Sequence, residues 1–128
     1  MTNERNTDST WTPEEVDSIS GTDEIHVAGS REDGSLRSSR VIWIVAVDGE
    51  LYIRSVNGPD ADWYAGVRHQ MTGAITWSGN ERNVAFVDDA SRDDEVDEAY
   101  RRKYGNGSPT QALNREPARG TTLRVDAK

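Results

Sequence analysis

Residues 41–56 have the sequence VIWIVAVDGELYIRSV, in which Asp48 and Gly49 separate two strongly apolar runs. Asp-Gly between apolar runs is a typical signal for a two-residue hairpin turn. Both runs are rich in β-branched and aromatic residues, which favour strands. The stretch therefore predicts a β-hairpin, and this hairpin anchors the interpretation of the rest of the chain.

The position of the turn predicts which residues of the two strands face each other. Counted outward from the turn, Val45 pairs with Tyr52, and Trp43 pairs with Arg54. Side chains alternate between the two faces of a strand. One face is almost wholly aliphatic and is predicted to lie in the core: Ile42, Ile44, Ala46, Leu51 and Ile53. The opposite face is also largely apolar, so it needs a cover of its own, which a helix, another subunit or a flat ligand could provide.

Composition limits the classes of protein to which the chain can belong. It has 128 residues, 23 acidic and 15 basic residues, a net charge of −8 and no cysteine. This length predicts a single domain, placed over residues 11–126 after a polar tail at 1–10 that we expect to be disordered. The lack of cysteine excludes disulfides, thiolate catalysis and cysteine-bound metals. The acidic charge argues against nucleic acid or an anionic membrane as a partner. The lack of a long apolar run or a signal peptide predicts a cytoplasmic protein.

The remaining elements follow from apolar periodicity and from turn residues. Thr12, Pro13 and Glu15 have the spacing of a capped helix start, and Asp60 is expected to cap a later helix. Strands are predicted over 24–28, 73–79, 82–88 and 121–125, helices from 13 to 20, from 60 to about 70 and over 93–104, and loops at 78–81 and 105–120. Six short, mainly antiparallel strands with inserted helices predict an α+β barrel or half-barrel.

Two arginine-containing groups could bind an anion. Arg54 beside Trp43 could hold a planar anionic ligand, but we favour a cross-strand cation–π contact between the two residues. Arg37-Ser38-Ser39-Arg40 has the composition of a phosphate cradle and also that of a solvated strand entry. The residues alone do not decide between these interpretations.

Other polar groups carry weaker signals. The turn at Asn57 precedes a helix and could hold a phosphate, but Asp60 and Asp62 would occupy and repel that position. The carboxylates between residues 88 and 97 lack the order of a calcium loop and predict a solvated helix start. His26 and His69 have no partner that spacing can identify, so no metal site is predicted.

The run RVIWIVAVDGELYIRSVNGPDADWYAGV (40–67), followed by GAITW (73–77), resembles the flavin- and deazaflavin-binding split β-barrel proteins. These are the pyridoxamine-phosphate-oxidase-like and deazaflavin-dependent nitroreductase-like families. With RRKYG (101–105) and TTLRV (121–125), the chain is most similar to a family of small uncharacterised proteins placed near that group. The resemblance covers residues 11–126 and implies a six-stranded, mainly antiparallel split β-barrel with flanking helices.

The resemblance also implies a cofactor, FMN or a deazaflavin, lying across the outer face of the hairpin. It assigns phosphate contacts to Arg40 and to the Arg54-Ser55 pair. The candidate cofactor-binding residues are Arg37, Arg40, Trp43, Arg54, Ser55, Asn57, Trp63 and Tyr64. Asp60 and Asp62 stand where the family has basic residues, which argues against a conventional FMN phosphate contact at the helix start.

Three functional hypotheses follow. The first is a flavin- or deazaflavin-dependent oxidoreductase that acts on a small organic molecule, with the cofactor carrying the hydride chemistry. The second is a cofactor-free protein on the same fold, either a small-molecule binder or an enzyme. The third is a homodimer whose partner covers the Trp43 face.

Overall fold

The computed structural model describes residues 10–128, so the tail predicted over residues 1–10 lies outside the described residues apart from Thr10. The described part forms seven strands and four α-helices. In chain order these are α1 (Pro13–Ser20), β1 (Ile25–Gly29), β2 (Arg40–Ile42), β3 (Val45–Val47), β4 (Glu50–Ile53), α2 (Asp62–Gln70), β5 (Thr72–Trp77), β6 (Asn80–Asp88), α3 (Asp93–Tyr104), α4 (Ser108–Leu113) and β7 (Leu123–Ala127). Short 3₁₀ turns lie at Gly58–Asp60 and Arg119–Thr121.

The seven strands form one antiparallel sheet in the order β2-β1-β5-β6-β7-β4-β3. β2 and β3 are the two edges of this sheet, yet only Trp43 and Ile44 separate them in sequence. Three Cα–Cα steps span at most about 11 Å. The two edges must therefore approach each other, and the sheet curls into a half-barrel. The predicted α+β class is confirmed, with seven strands where six were expected.

The extra strand comes from a break in the predicted hairpin. The register is right next to the turn, where Val45 pairs with Tyr52. Asp48 and Gly49 have φ values of 51° and 84°, the left-handed conformation that this type of two-residue turn requires. Beyond Val45 the prediction is wrong, because Arg40–Ile42 pairs with β1 at the opposite edge of the sheet. Trp43 and Arg54 are therefore not cross-strand neighbours.

Three further boundaries differ from the prediction. The second hairpin turns at Ser78-Gly79 and not over 78–81, because Trp77 already pairs with Asn80. The helix predicted to be capped by Asp60 begins at Asp62, after a separate 3₁₀ turn. The region predicted as a loop over 105–120 contains α4, which has a proline in its first turn, a common helix-start signal.

Both faces of the hairpin are covered by protein. The predicted aliphatic face lies inside the half-barrel, where Ile44, Leu51 and Ile53 have no exposed surface. On the opposite face Val45 and Tyr52 pack in a second cluster with residues of α3 and α4. Next to the turn, helices therefore cover the second apolar face of the hairpin. The region around Trp43 and β2 remains partly open.

Candidate functional site

A cleft of about 300 Å³ opens where β2, the segment between β4 and α2, and α4 meet. Its volume is at the lower end of the range of small-molecule pockets. We call it the seam cleft, and it is lined by Arg40, Val41, Ile42, Trp43, Arg54, Val56, Asn57, Trp63, Pro109 and Leu113. Two side pockets share Arg40 and Trp63 with it, one reaching Arg37 and Gly66 and the other reaching Asp60, and Asp62 lines both side pockets.

Two tryptophans form the aromatic walls of the seam cleft. Trp43 stacks flat on Tyr104, with ring centroids 3.9 Å apart and planes inclined by 3°. Trp63, in the first turn of α2, meets Tyr64 edge to face at 5.7 Å. Tyr64 itself is buried, and burial raises the pKa of its hydroxyl, which accepts a hydrogen bond from Arg68. Trp43 and Trp63 thus contact the cleft, while Tyr64 supports Trp63 from behind.

The seam cleft and its two side pockets together form a groove, and Arg37 and Arg40 lie at one end of it. Within residues 10–128, neither guanidinium group has a hydrogen-bond or ion-pair partner, and the Nε atom of Arg37 is buried without one. Most other arginines pair with carboxylates: Arg54, Arg68, Arg82, Arg92, Arg101, Arg102, Arg119 and Arg124. Buried polar groups are normally hydrogen-bonded. Two unpaired cations beside an aromatic cleft therefore form a favourable place for an anion.

The aliphatic part of Arg37 lies directly on α2. A Cβ atom added at Gly66 would come within 2.9 Å of the Arg37 Cδ atom. The absence of a side chain at position 66 therefore allows Arg37 to lie close against the helix.

Arg54 is in a different state from Arg37 and Arg40. Its side chain is fully buried, and it donates to Asp97 at 2.6 Å and to Asp93 at 3.1 Å. Nε donates to the Thr122 hydroxyl at 2.9 Å, and two oxygens of the α4 C-terminal region, the Leu113 carbonyl and the Asn114 side chain, accept from Nη1. Each nitrogen of its guanidinium is therefore engaged. The predicted contact with Trp43 is wrong, and the ring beneath the guanidinium is that of Tyr100.

Ser55 is also occupied by internal hydrogen bonds. Its hydroxyl donates to the carbonyl of Gly58 at 2.7 Å, and its backbone N–H donates to the hydroxyl of Thr121 at 2.8 Å. Asn57, next along the segment between β4 and α2, is exposed at the cleft mouth. The structure thus brings seven of the eight predicted residues to the groove: Arg37, Arg40, Trp43, Arg54, Ser55, Asn57 and Trp63. The side chains of Arg54 and Ser55 are occupied by internal partners, and Tyr64 lies behind Trp63. Binding by any of the eight stays a prediction.

Sequence reasoning missed α4 and the acidic partners of Arg54. Asp93 and Asp97 lie four residues apart on α3, a spacing that puts both carboxylates on one helix face. That spacing was available in the sequence, but nothing local connects it to a strand forty residues earlier. Across residues 10–128 no group of His, Asp or Glu side chains is arranged to hold a metal ion, and no helix has the length and apolarity to cross a membrane.

Comparison with solved structures shows the fold. A putative 5-nitroimidazole antibiotic resistance protein from Bacteroides thetaiotaomicron VPI-5482 has 15% sequence identity and a TM-score of 0.57, over 93% of this chain and 80% of that chain. The conserved hypothetical protein Rv2991 from Mycobacterium tuberculosis has 14% identity and a TM-score of 0.56, over 93% and 81%. An F420 reductase has 15% identity and a TM-score of 0.52, over 88% and 90%. These similarities confirm the split-barrel fold.

Comparison at the sequence level gives the family. No curated protein matches the chain. Residues 15–125 match the family model described as "Uncharacterized protein conserved in bacteria (DUF2255)". This match confirms the predicted resemblance to a family of small uncharacterised proteins. Because it spans most of the chain, the protein belongs to the DUF2255 family.

Proposed function

We propose that this protein binds a flat anionic cofactor of the flavin or deazaflavin class in the seam cleft and uses it in the oxidoreduction of a small organic molecule. The observation that carries the proposal is the pair of unpaired arginines, Arg37 and Arg40, beside the aromatic walls Trp43 and Trp63. Two structural neighbours, named as an F420 reductase and as a putative nitroimidazole resistance protein, agree with this class of chemistry.

The charges around the groove suggest an orientation for the ligand. Arg40 lines the seam cleft and both side pockets. Asp62 lines both side pockets, and Asp60 lines only the one that Arg37 does not reach. A guanidinium can pair a phosphate through two parallel hydrogen bonds. A phosphate would therefore lie toward Arg37 and Arg40, where two unpaired guanidinium groups share the pocket with the single carboxylate of Asp62 and the buried Nε of Arg37 would gain a partner.

The aromatic residues would hold the ring system. Trp43 and Trp63 provide apolar surface that excludes water from the cleft, and Asn57 provides an amide at its mouth. When bound, the cofactor supplies the hydride chemistry, so the protein needs few acid–base groups of its own. In this arrangement Arg54 and Ser55 act indirectly, by fixing the segment between β4 and α2.

One observation favours a second function. Asp60 and Asp62 place negative charge next to Trp63, which suits a ligand without a phosphate at that end. We propose as the alternative a non-redox small-molecule binder on the same fold. A homodimer remains a further proposal, and its interface would cover Val41 and Val56, which are 49% and 48% exposed at the cleft rim.

Titration separates these proposals. The purified protein is titrated with FMN and with a deazaflavin while tryptophan fluorescence is followed, because Trp43 and Trp63 would be quenched by a ring in the cleft. Saturable quenching, followed by reoxidation of the reduced complex by a nitroaromatic acceptor, is the expected result. Absence of binding by either cofactor at near-millimolar concentration would contradict the redox proposal.

Light scattering at high protein concentration tests the homodimer, which a monomeric mass would exclude.

A further inference from the structure

The junction between the two edge strands is held by the C-terminal end of α3. We infer that Tyr104 is a positioning residue, which fixes Trp43 and so sets the shape of the seam cleft. Trp43 and Ile44, the two residues of the junction, lie outside any strand. The effect of Tyr104 on ligand affinity rests on the proposed function, whereas its effect on the junction does not.

The backbone at the junction lacks sheet partners and uses the end of α3 instead. The N–H of Ile44 donates to the Tyr104 hydroxyl at 3.3 Å, and the carbonyl of Ile44 accepts from Lys103 Nζ at 2.8 Å. The Tyr104 hydroxyl in turn donates to the carbonyl of Asp23 at 2.7 Å. Backbone polar groups away from water need such partners. The final two residues of α3 therefore replace the missing ladder and tie the junction to the segment before β1.

The ring of Tyr104 acts on the indole of Trp43. The two rings are stacked at 3.9 Å and nearly parallel, so one indole face is covered by protein. A cofactor in the cleft can contact only the opposite face or an edge. Loss of the Tyr104 hydroxyl would free the junction while leaving a ring to stack, so the two contributions can be separated by substitution.

The chain contains a matched control one turn earlier in the same helix. The Tyr100 hydroxyl is buried and has no hydrogen-bond partner among the described residues. Tyr100→Phe and Tyr104→Phe therefore remove the same atom from the same helix, but only the second removes the hydrogen bonds at the junction. A merely structural requirement for a tyrosine hydroxyl in α3 would affect both variants alike.

The first measurement needs no ligand. In Tyr104→Phe we expect amide hydrogen exchange of Ile44 to accelerate roughly fivefold or more. We also expect the indole resonance of Trp43, assigned with Trp43→Phe, to shift or broaden. Tyr100→Phe should match the wild type in both. Unchanged Ile44 exchange and an unchanged Trp43 resonance in Tyr104→Phe would overturn the inference. If that variant does not fold, Lys103→Met is judged by the same two signals. It removes the bond to the Ile44 carbonyl and the ammonium group over the Tyr104 ring, but keeps the Tyr104 hydroxyl.

The second measurement uses FMN as the probe. In Tyr104→Phe the dissociation constant should rise about threefold to tenfold, while Tyr100→Phe should bind as the wild type does. An equal loss in both variants would overturn the assignment of Trp43 positioning to Tyr104. If the wild type binds neither FMN nor a deazaflavin, the proposed function fails, and the ligand-free measurement still decides the role of Tyr104 at the junction.

Discussion

Arg54 lies close to Arg37 and Arg40 in this protein, but its environment differs sharply from theirs. Arg54 is fully buried and each nitrogen of its guanidinium has an oxygen partner. Arg37 and Arg40 line the groove, and the described residues offer their guanidinium groups no partner. The comparison teaches that a saturated arginine stabilises the fold, whereas an unpaired one beside a cleft is available to a ligand.

Removal of the buried arginine should have the largest effect. Arg54→Met leaves Asp93 and Asp97 in a low-dielectric site without their main counter-ion. Breaking a buried pair in this way typically costs about 3–5 kcal/mol. We expect the free energy of unfolding, measured by urea denaturation, to fall by that amount.

The control for this prediction is Arg40→Met, which removes an exposed guanidinium without a described partner. Its free energy of unfolding should change by less than about 0.5 kcal/mol. If the two variants lose similar stability, the contrast between the two arginine groups is wrong. Arg119, which also pairs with Asp97, stays in place in both variants.

The same Arg40→Met variant should show the opposite pattern in ligand binding. If Arg40 pairs a phosphate, its loss should weaken FMN or deazaflavin binding by about 1.5–3 kcal/mol, because hydrogen bonds to charged groups contribute that much. Fluorescence titration at two salt concentrations measures this, and the salt dependence of the affinity should also decrease. Wild-type affinity in the variant would remove Arg40 from the site.

Gly66→Ala tests Arg37 without changing a charge. The new methyl group would collide with the Arg37 Cδ atom, the flexible part of a side chain, so we expect Arg37 to move rather than the backbone. Alanine also favours a helix over glycine by up to about 1 kcal/mol. Cofactor binding should therefore weaken by about 0.5–1.5 kcal/mol while thermal stability stays the same or rises.

A control for this variant lies next to it on α2. Ala65 is exposed, and Ala65→Gly alters helix propensity without approaching Arg37. It should lower stability slightly and leave affinity unchanged. A similar loss of affinity in Ala65→Gly would show that binding responds to any change in α2, and not specifically to the position of Arg37.

The fold was largely predictable because local signals agreed with each other. The Asp48-Gly49 turn and the aliphatic face of the hairpin both lie where the sequence predicts them. The break at Trp43 and Ile44 was not predictable, because the apolar pattern continues through it without glycine or proline. What breaks the strand is closure of the sheet, a tertiary effect that pairs Arg40–Ile42 with the opposite edge.

The candidate site was predictable in part. Arg40 and Trp63 line the groove, but sequence could not separate Arg40 from Arg54, since both lie in or next to strands of the same hairpin region. Their difference depends on Asp93 and Asp97, which reach Arg54 only through the packing of α3. A residue's role here is set by which partners the fold brings to it, and local sequence does not contain that information.

The ion pair between Arg124 and Asp89 is less buried than the pairs of Arg54, so its loss should have the smallest effect on stability. Hydrogen bonds from Ser91 lower the pKa of Asp89, assisted by Arg124, which donates to it at 2.9 Å. Since the folded-state pKa lies below the unfolded value, this group adds stability above an unfolded pKa of about 3.9 and loses it as the pH falls through the folded value. Asp89→Asn should therefore reduce the free energy of unfolding by about 0.5–1 kcal/mol at pH 7. The difference from the wild type should close as the pH falls through the lowered folded-state pKa of Asp89, where the wild-type carboxyl also becomes neutral. Urea denaturation at several pH values measures it, and a difference that does not change with pH would mean that Asp89 acts through packing and not through its charge.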